Sequence, residues 1–332
     1  MFNYLTVILM TKPLALKEET KGRYACLLFD STMKTVLGTA ANEDLFIDII
    51  EFLIPGKHIS SLKLLNKEHH GFADSEKSVT FDLLCVDKDT GEEFEVEVQN
   101  AEEESYRDRM LYYSYFPIRE QLAEKKKRFL KNPKQNRMDY SIKPVYMISL
   151  LNFILEHDSD DALEDGYISR FEIRNGRNSE ILTSSLNFVF VEMDRLPYTK
   201  DQYDLCKTRL ERFIFSIKYM HTFEAFPEHF KDDPMLEKLA NAAELANLPP
   251  MKLKQYEKDM ITELDRQLQL EFAEKKGKKE GREEGREEER AETTKYKLET
   301  ARKLLKLDVP METVVQAMGL SPEQVEVLRR RE

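Results

Sequence analysis

Two carboxylates and an amide are spaced so that the chain can bring them onto one face of a β-hairpin: Asp82, then Glu97, with Gln99 two residues further on. Residues 79–86 and 92–99 are rich in β-branched and apolar side chains, and Asp87-Lys-Asp-Thr-Gly91 between them is turn chemistry. With a period of two, Phe94, Val96 and Val98 point to one face of the second strand, and Glu95, Glu97 and Gln99 to the other. A four-residue loop, Lys88 to Gly91, pairs Val86 with Glu93. Following the ladder back sets Asp82 opposite Glu97, with Cβ atoms roughly 5 Å apart.

Two carboxylates facing each other on half-buried strands repel, unless a cation or a shared proton compensates. Mg²⁺, with Mn²⁺ as a substitute, suits an all-oxygen site and activates water for attack on phosphorus. Gln99 is then placed to orient that water or a phosphate oxygen, although an amide has no tunable pKa. The plainer reading of the same pattern is an acidic, solvated hairpin face.

Asp82, then Glu97-Val98-Gln99, then a helix carrying Arg107, Arg109 and Tyr112-Tyr113, resembles the PD-(D/E)XK nuclease superfamily. Within it the chain resembles the recombination-promoting nuclease (Rpn)/transposase family, in which Gln commonly stands in place of the catalytic Lys. Asp30-Ser-Thr-Met-Lys34-Thr-Val-Leu-Gly38 looks like that family's D-x-x-F-K-x-x-F-G segment, with residues 42–53 as the first core helix. The likeness runs from about residue 24 to residue 270. It implies a restriction-endonuclease-like α/β core, a mixed sheet flanked by helices with an α-rich C-terminal extension. The activity it implies is Mg²⁺-dependent hydrolysis of DNA, linked to recombination or transposition. In that scheme Asp82 and Glu97 hold the metal, Gln99 positions water, Arg107 or Arg109 stabilises charge on the phosphate, and Glu95 is a reserve ligand. Asp30 and Lys34 are assigned by the resemblance alone. Met33 and Leu37 stand where the family has aromatics, and Pro117 is expected to kink or end the tyrosine helix.

The order of elements agrees with such a core. Residues 44–53 have apolar spacing of a helix with Asn42 as its N-cap, and the hairpin comes next. Residues 102–116 read as a helix with Tyr106, Met110 and Tyr113 on one face. Residues 144–151 suit a buried strand, and 167–174 and 182–192 add two more. Residues 158–165 read as a solvated acidic loop, and the six histidines form no catalytic cluster, His69-His70 lying in a loop. The expected division is 1–23 as an N-terminal segment, 24–200 as the nuclease-like core, 201–270 as a helical extension, 271–293 as a charged helical linker and 294–332 as a small helical tail. In that tail, Gly319 stops one short helix and Ser321-Pro322-Glu323-Gln324 caps the next.

The chain has 332 residues, 41% of them hydrophobic, enough for a substantial core. Three cysteines, an odd count without ligand spacing, indicate neither a zinc site nor a disulfide framework, and the early apolar run 5–10 is too short to span a membrane. The expected location is the cytoplasm, with no membrane partner. A net charge of −11 argues against a DNA-coating protein. Lys125, Lys126, Lys127 and Arg128 nevertheless form a local basic block for DNA phosphates. Glu323, Gln324 and Glu326 at the start of the last helix point the tail toward a protein partner rather than DNA, and the sequence leaves a homo-oligomer open. The competing reading of the whole is a degenerate nuclease fold that binds nucleic acid or protein without chemistry, to which Gln99 in place of Lys lends weight.

Overall fold

The computed structural model describes residues 22–65, 68–69, 79–80, 83–134, 138–159 and 163–330. Contacts group the chain into two units that divide between Met260 and Ile261. In the first unit the helices are α1 (Asp30–Val36), α2 (Glu43–Leu53), α3 (Tyr106–Lys131), α4 (Arg209–Tyr219), α5 (Glu228–Lys231) and α6 (Pro234–Ala243), and α7 (Pro250–Lys306) begins there. The strands are β1 (Leu62–Leu64), β2 (Glu68–His69), β3 (Val79–Thr80), β4 (Leu83–Asp87), β5 (Glu93–Gln99), β6 (Val145–Leu151), β7 (Leu163–Glu164), β8 (Ile168–Arg174) and β9 (Ile181–Glu192).

Seven strands form a mixed sheet in the order β1-β4-β5-β6-β9-β8-β7, and β2 pairs with β3 in a second, two-stranded sheet. β5 and β6 are parallel, as are β6 and β9, whereas the outer pairs are antiparallel. A parallel neighbour requires a crossover, and α3 supplies the one from β5 to β6. Alternation along the strands then sorts the two faces. Phe94, Val96 and Val98 join Ile148, Leu150, Val189 and Val191 in the larger core, with Met33 and Val36 of α1, Ile49 and Leu53 of α2, Phe213 of α4 and Leu239 of α6. On the opposite face Met147, Leu151 and Phe190 receive Tyr106 and Met110 of α3, and Leu84 meets Phe116. Burying Met110 contributes roughly 2 kcal/mol to holding α3 on the sheet. This is a restriction-endonuclease-like α/β core with an α-rich C-terminal region.

The expected register holds: Val86 pairs with Glu93, and the ladder continues to Leu83 with Val96. The turn is held by Asp87, whose side chain accepts from the Asp89 N–H at 2.8 Å and the Thr90 hydroxyl at 2.8 Å, while Gly91 takes the positive φ of 75° that closes it. The first strand is not the single run expected over 79–86. Val79–Thr80 pairs with Glu68–His69, so His69 lies in a strand rather than a loop, and Asp82 lies outside the described residues. Asn42 precedes α2 as expected but does not cap it; its amide donates to the Val36 carbonyl at 2.6 Å instead. Met33 and Leu37 are fully buried.

Pro117 neither ends nor interrupts α3, which runs on to Lys131. Proline donates no hydrogen bond to the preceding turn, but Phe116 and Pro117 are both buried, and that packing carries the helix through. Residues 125–131 are therefore helical. The acidic loop expected at 158–165 contains β7, which pairs with the start of β8.

In the second unit α7 is helical throughout the glycine-containing repeat, where Lys276–Glu280 and Lys275–Glu271 pairs at i,i+4 offset part of the glycine cost. α8 (Met311–Met318) ends at Gly319, in the left-handed conformation, before α9 (Pro322–Arg330). Ser321 and Gln324 close a capping box, with the Ser321 N–H on Gln324 Oε1 at 2.8 Å and the Gln324 N–H on Ser321 Oγ at 3.2 Å. Ala301, Val314, Leu320 and Val325 form this unit's core.

Candidate active site

β5 carries Glu95, Glu97 and Gln99 on the face that α3 covers. The expected contiguous polar face exists, but it is not solvated. Glu95 is fully buried and Glu97 is 6% exposed. Their rungs explain this: Glu95 lies between Leu84 on β4 and Met147 on β6, and Glu97 lies beside Ser149. Burial pushes the Glu97 carboxyl above the ordinary carboxylate range; its hydrogen bond with Glu95 and the Arg109 charge pull it back. Asp30 then adds to the rise and Lys34 opposes it. Those two residues of α1 are bound to each other at 2.6 Å, so a helix distant in sequence brings an acid and a base within electrostatic reach of Glu97.

Arg109 arrives from α3. Its guanidinium binds Glu103 at 2.6 Å and donates to Gln99 Oε1 at 2.8 Å, and it lies 4.9 Å from the Tyr106 ring centre and 5.7 Å from that of Tyr113. Gln99 completes its own orientation by donating to the Ala101 carbonyl at 3.0 Å. Arg107 points elsewhere, to the Glu156 carbonyl and over Phe171. Burial raises the Tyr106 and Tyr113 hydroxyls, and the charge of Glu97 raises both further. Tyr106 and Ser149, both fully buried, were not among the expected site residues. Tyr106 was visible only as a core position, and the one signal for Ser149 was a lone hydroxyl in the apolar run 144–151.

The donor set fits a hard divalent ion. Two carboxyls in contact are buried among apolar residues, and carboxylate oxygens are the ligands such an ion takes. Among those residues no three acids, histidines or cysteines gather closely enough to complete a metal shell.

The basic block lies on the C-terminal part of α3. Lys125, Lys127 and Arg128 line a groove of about 760 Å³ with Lys63 and Lys143, but Glu93, Glu120 and Glu124 line it too. Lys125 is bound to Asp139 at 2.6 Å and to Ser141, and these hold Asp139 well below its usual pKa. Arg128 pairs with Glu124 at 3.2 Å, while Lys126 and Lys127 are exposed. Sixteen residues of helix set Lys125 about 24 Å along the axis from Arg109.

A buried acid and an amide two residues apart lie on a central strand of the mixed sheet, with an arginine–tyrosine helix packed across them. The family model described as PD-(D/E)XK nuclease family transposase matches residues 27–273. The chain belongs to that family, as the motifs around Asp30, Glu97 and Arg109 led one to expect. Comparisons with curated proteins and with solved structures give no match. PD-(D/E)XK nucleases usually use divalent metals, and no described helix is long and apolar enough to cross a membrane.

Proposed function

We propose that this chain is a metal-dependent DNA endonuclease acting in recombination or transposition, with Mg²⁺ as the working ion and Mn²⁺ as a substitute. The observation that carries this reading is the burial of Glu95 and Glu97 on a central strand whose Gln99 is held by Arg109 of α3 at 2.8 Å. Glu97 would hold the ion together with Asp82, which directly precedes the first paired residue of β4, and Glu95 or Asp30 would stand in reserve. A bound divalent ion would supply charge stabilisation and an acidified water. Arg109, rather than Arg107, would meet negative charge at the phosphate, and Gln99, oriented by Arg109, would align the attacking water. Lys126 and Lys127 would track the DNA backbone away from the cut. The three buried free cysteines suit a cytoplasmic setting.

Gln99 favours a second reading. Its amide is already engaged by Arg109 and Ala101, and it carries no charge, as suits a module that binds DNA or a protein without cutting. A supercoiled plasmid incubated with Mg²⁺, Mn²⁺ or EDTA separates the two. Nicking that needs a metal and disappears in Glu97→Gln supports the nuclease; an intact plasmid with every ion leaves only the binding module.

A further inference from the structure

The outer face of α3 carries a stripe of exposed side chains. Leu111, Tyr112 and Tyr115 are 56%, 49% and 42% exposed, although large apolar side chains on a helix packed against a sheet are expected to be covered. At 3.6 residues per turn, Tyr112, Tyr115, Arg119 and Lys126 fall within about 60° of one another around the helix. The Arg119 guanidinium lies 5.8 Å from the Tyr115 ring centre and 5.4 Å from that of Phe116. Tyr112 meets Phe116 edge-on at 5.3 Å, which fixes how its ring is presented.

The stripe is also joined to the pocket. Tyr112 lies beside Tyr113, 6.3 Å between ring centres, and Tyr113 stands 5.7 Å from Arg109 and feels the charges of Glu97 and Glu95. One helix thus presents, in order, an arginine at the carboxylates, exposed aromatic rings, an arginine against those rings, and exposed lysines. Asp108 is exposed at the N-terminal end of the same face.

We infer that Tyr112 and Tyr115, with Arg119, form a stacking platform for unpaired bases, and that the preferred substrate is DNA with a single-stranded stretch beside the cut. This rests on the nuclease-site reading and names its substrate class. Exposed aromatic side chains next to cations suit bases with free faces, whereas duplex bases already stack on one another and present mainly phosphates. The order of side chains along α3 selects nucleic acid over a second copy of the chain, because the stripe passes into lysines at one end and borders the carboxylate pocket at the other.

The test is fluorescence anisotropy of the full chain in EDTA with a labelled mixed-sequence 20-nucleotide single strand and with its duplex. The variants are Tyr112→Ala, Tyr115→Ala and the two Phe counterparts, each compared with wild type by thermal melting. Each Ala variant is expected to weaken single-strand binding at least about fivefold, the low end for one lost base–aromatic stack, and to leave duplex binding within twofold. Phe retains the ring and should restore binding. Wild-type binding to duplex alone, Ala variants that bind the single strand normally, or Ala variants that change only the sedimentation coefficient would each overturn the platform, the last by making the stripe a protein interface. Since binding is read without metal, loss of the nuclease reading in the plasmid assay would leave this result standing, and the reverse also holds.

Discussion

Glu97 on β5 and Glu192 on β9 are both buried in one sheet, and the protein treats them in opposite ways. Glu192 is fully enclosed, yet its carboxylate meets His157 Nε2 at 2.5 Å, Arg195 Nε at 2.8 Å and the Leu155 N–H at 2.9 Å. Glu97 has another acid as its hydrogen-bonding neighbour, and the opposite charges of Arg109 and Lys34 reach it across space. Glu192 is thus satisfied by donors of the fold, whereas burial raises the proton affinity of Glu97. α3 repeats the contrast on the surface: Lys125 is committed to Asp139 and Ser141, whereas Lys126 and Lys127 extend into solvent.

The largest expected difference is between the two glutamates. Glu97→Gln should lower plasmid cleavage by at least about a thousandfold, roughly 4 kcal/mol of transition-state stabilisation, with the urea midpoint unchanged or higher. Glu192→Gln should do the reverse at the level of folding and lower stability by about 3 kcal/mol, since it leaves Arg195 and His157 without their anion. Equal urea midpoints for the two variants would erase the distinction between the sites.

The lysines sharpen the comparison at smaller scale. Lys126→Ala with Lys127→Ala should reduce the slope of log DNA affinity against log salt by about 1.8, two phosphate contacts at about 0.9 each. Lys125→Ala should barely move it, because that ammonium already serves Asp139. A larger slope change from Lys125 than from its neighbours would show that ion pairing within the protein does not predict which cations meet DNA.

The smallest effect is in pH. The folded pKa of Glu97 is raised, so the metal-free native state binds that proton more tightly than the unfolded chain does. The corresponding stability is fully present below the ordinary value of 4.5 and is lost as pH rises through the raised one. Glu95, Arg109, Asp30, Lys34 and the Tyr106 and Tyr113 hydroxyls are the groups that face it. Urea unfolding of metal-free wild type and Glu97→Gln across this window should diverge in that direction; parallel curves would mean that Glu97 is solvated.

The hairpin was legible because local chemistry decides it. Asp87 and Gly91 close the turn, the turn sets the Val86–Glu93 pair, and the period of two puts Glu95, Glu97 and Gln99 on one face. What covers that face was not legible, since alternation names a face and not its cover; α3 buries it through Tyr106, Met110 and Phe116. Pro117 misled for a related reason, because a local rule about helix breaking carries no knowledge of the core that holds the helix down. The His157–Glu192–Arg195 set joins a loop to a strand end 35 residues away, and no spacing rule reaches that far. The nearness of Asp30 and Lys34 to Glu97 came from the family likeness alone, because only the folded chain brings α1 to β5.

The account stands most directly on whether the carboxylates at Glu97 bind a divalent ion. Calorimetric titration of Mn²⁺ into metal-free wild type and Glu97→Gln, both checked by thermal melting, measures this without reference to activity. Saturable binding in wild type that weakens at least about tenfold in the variant is the predicted result, a loss of about 1.4 kcal/mol. Equal Mn²⁺ affinity in two equally stable proteins would contradict the account and place the ion elsewhere.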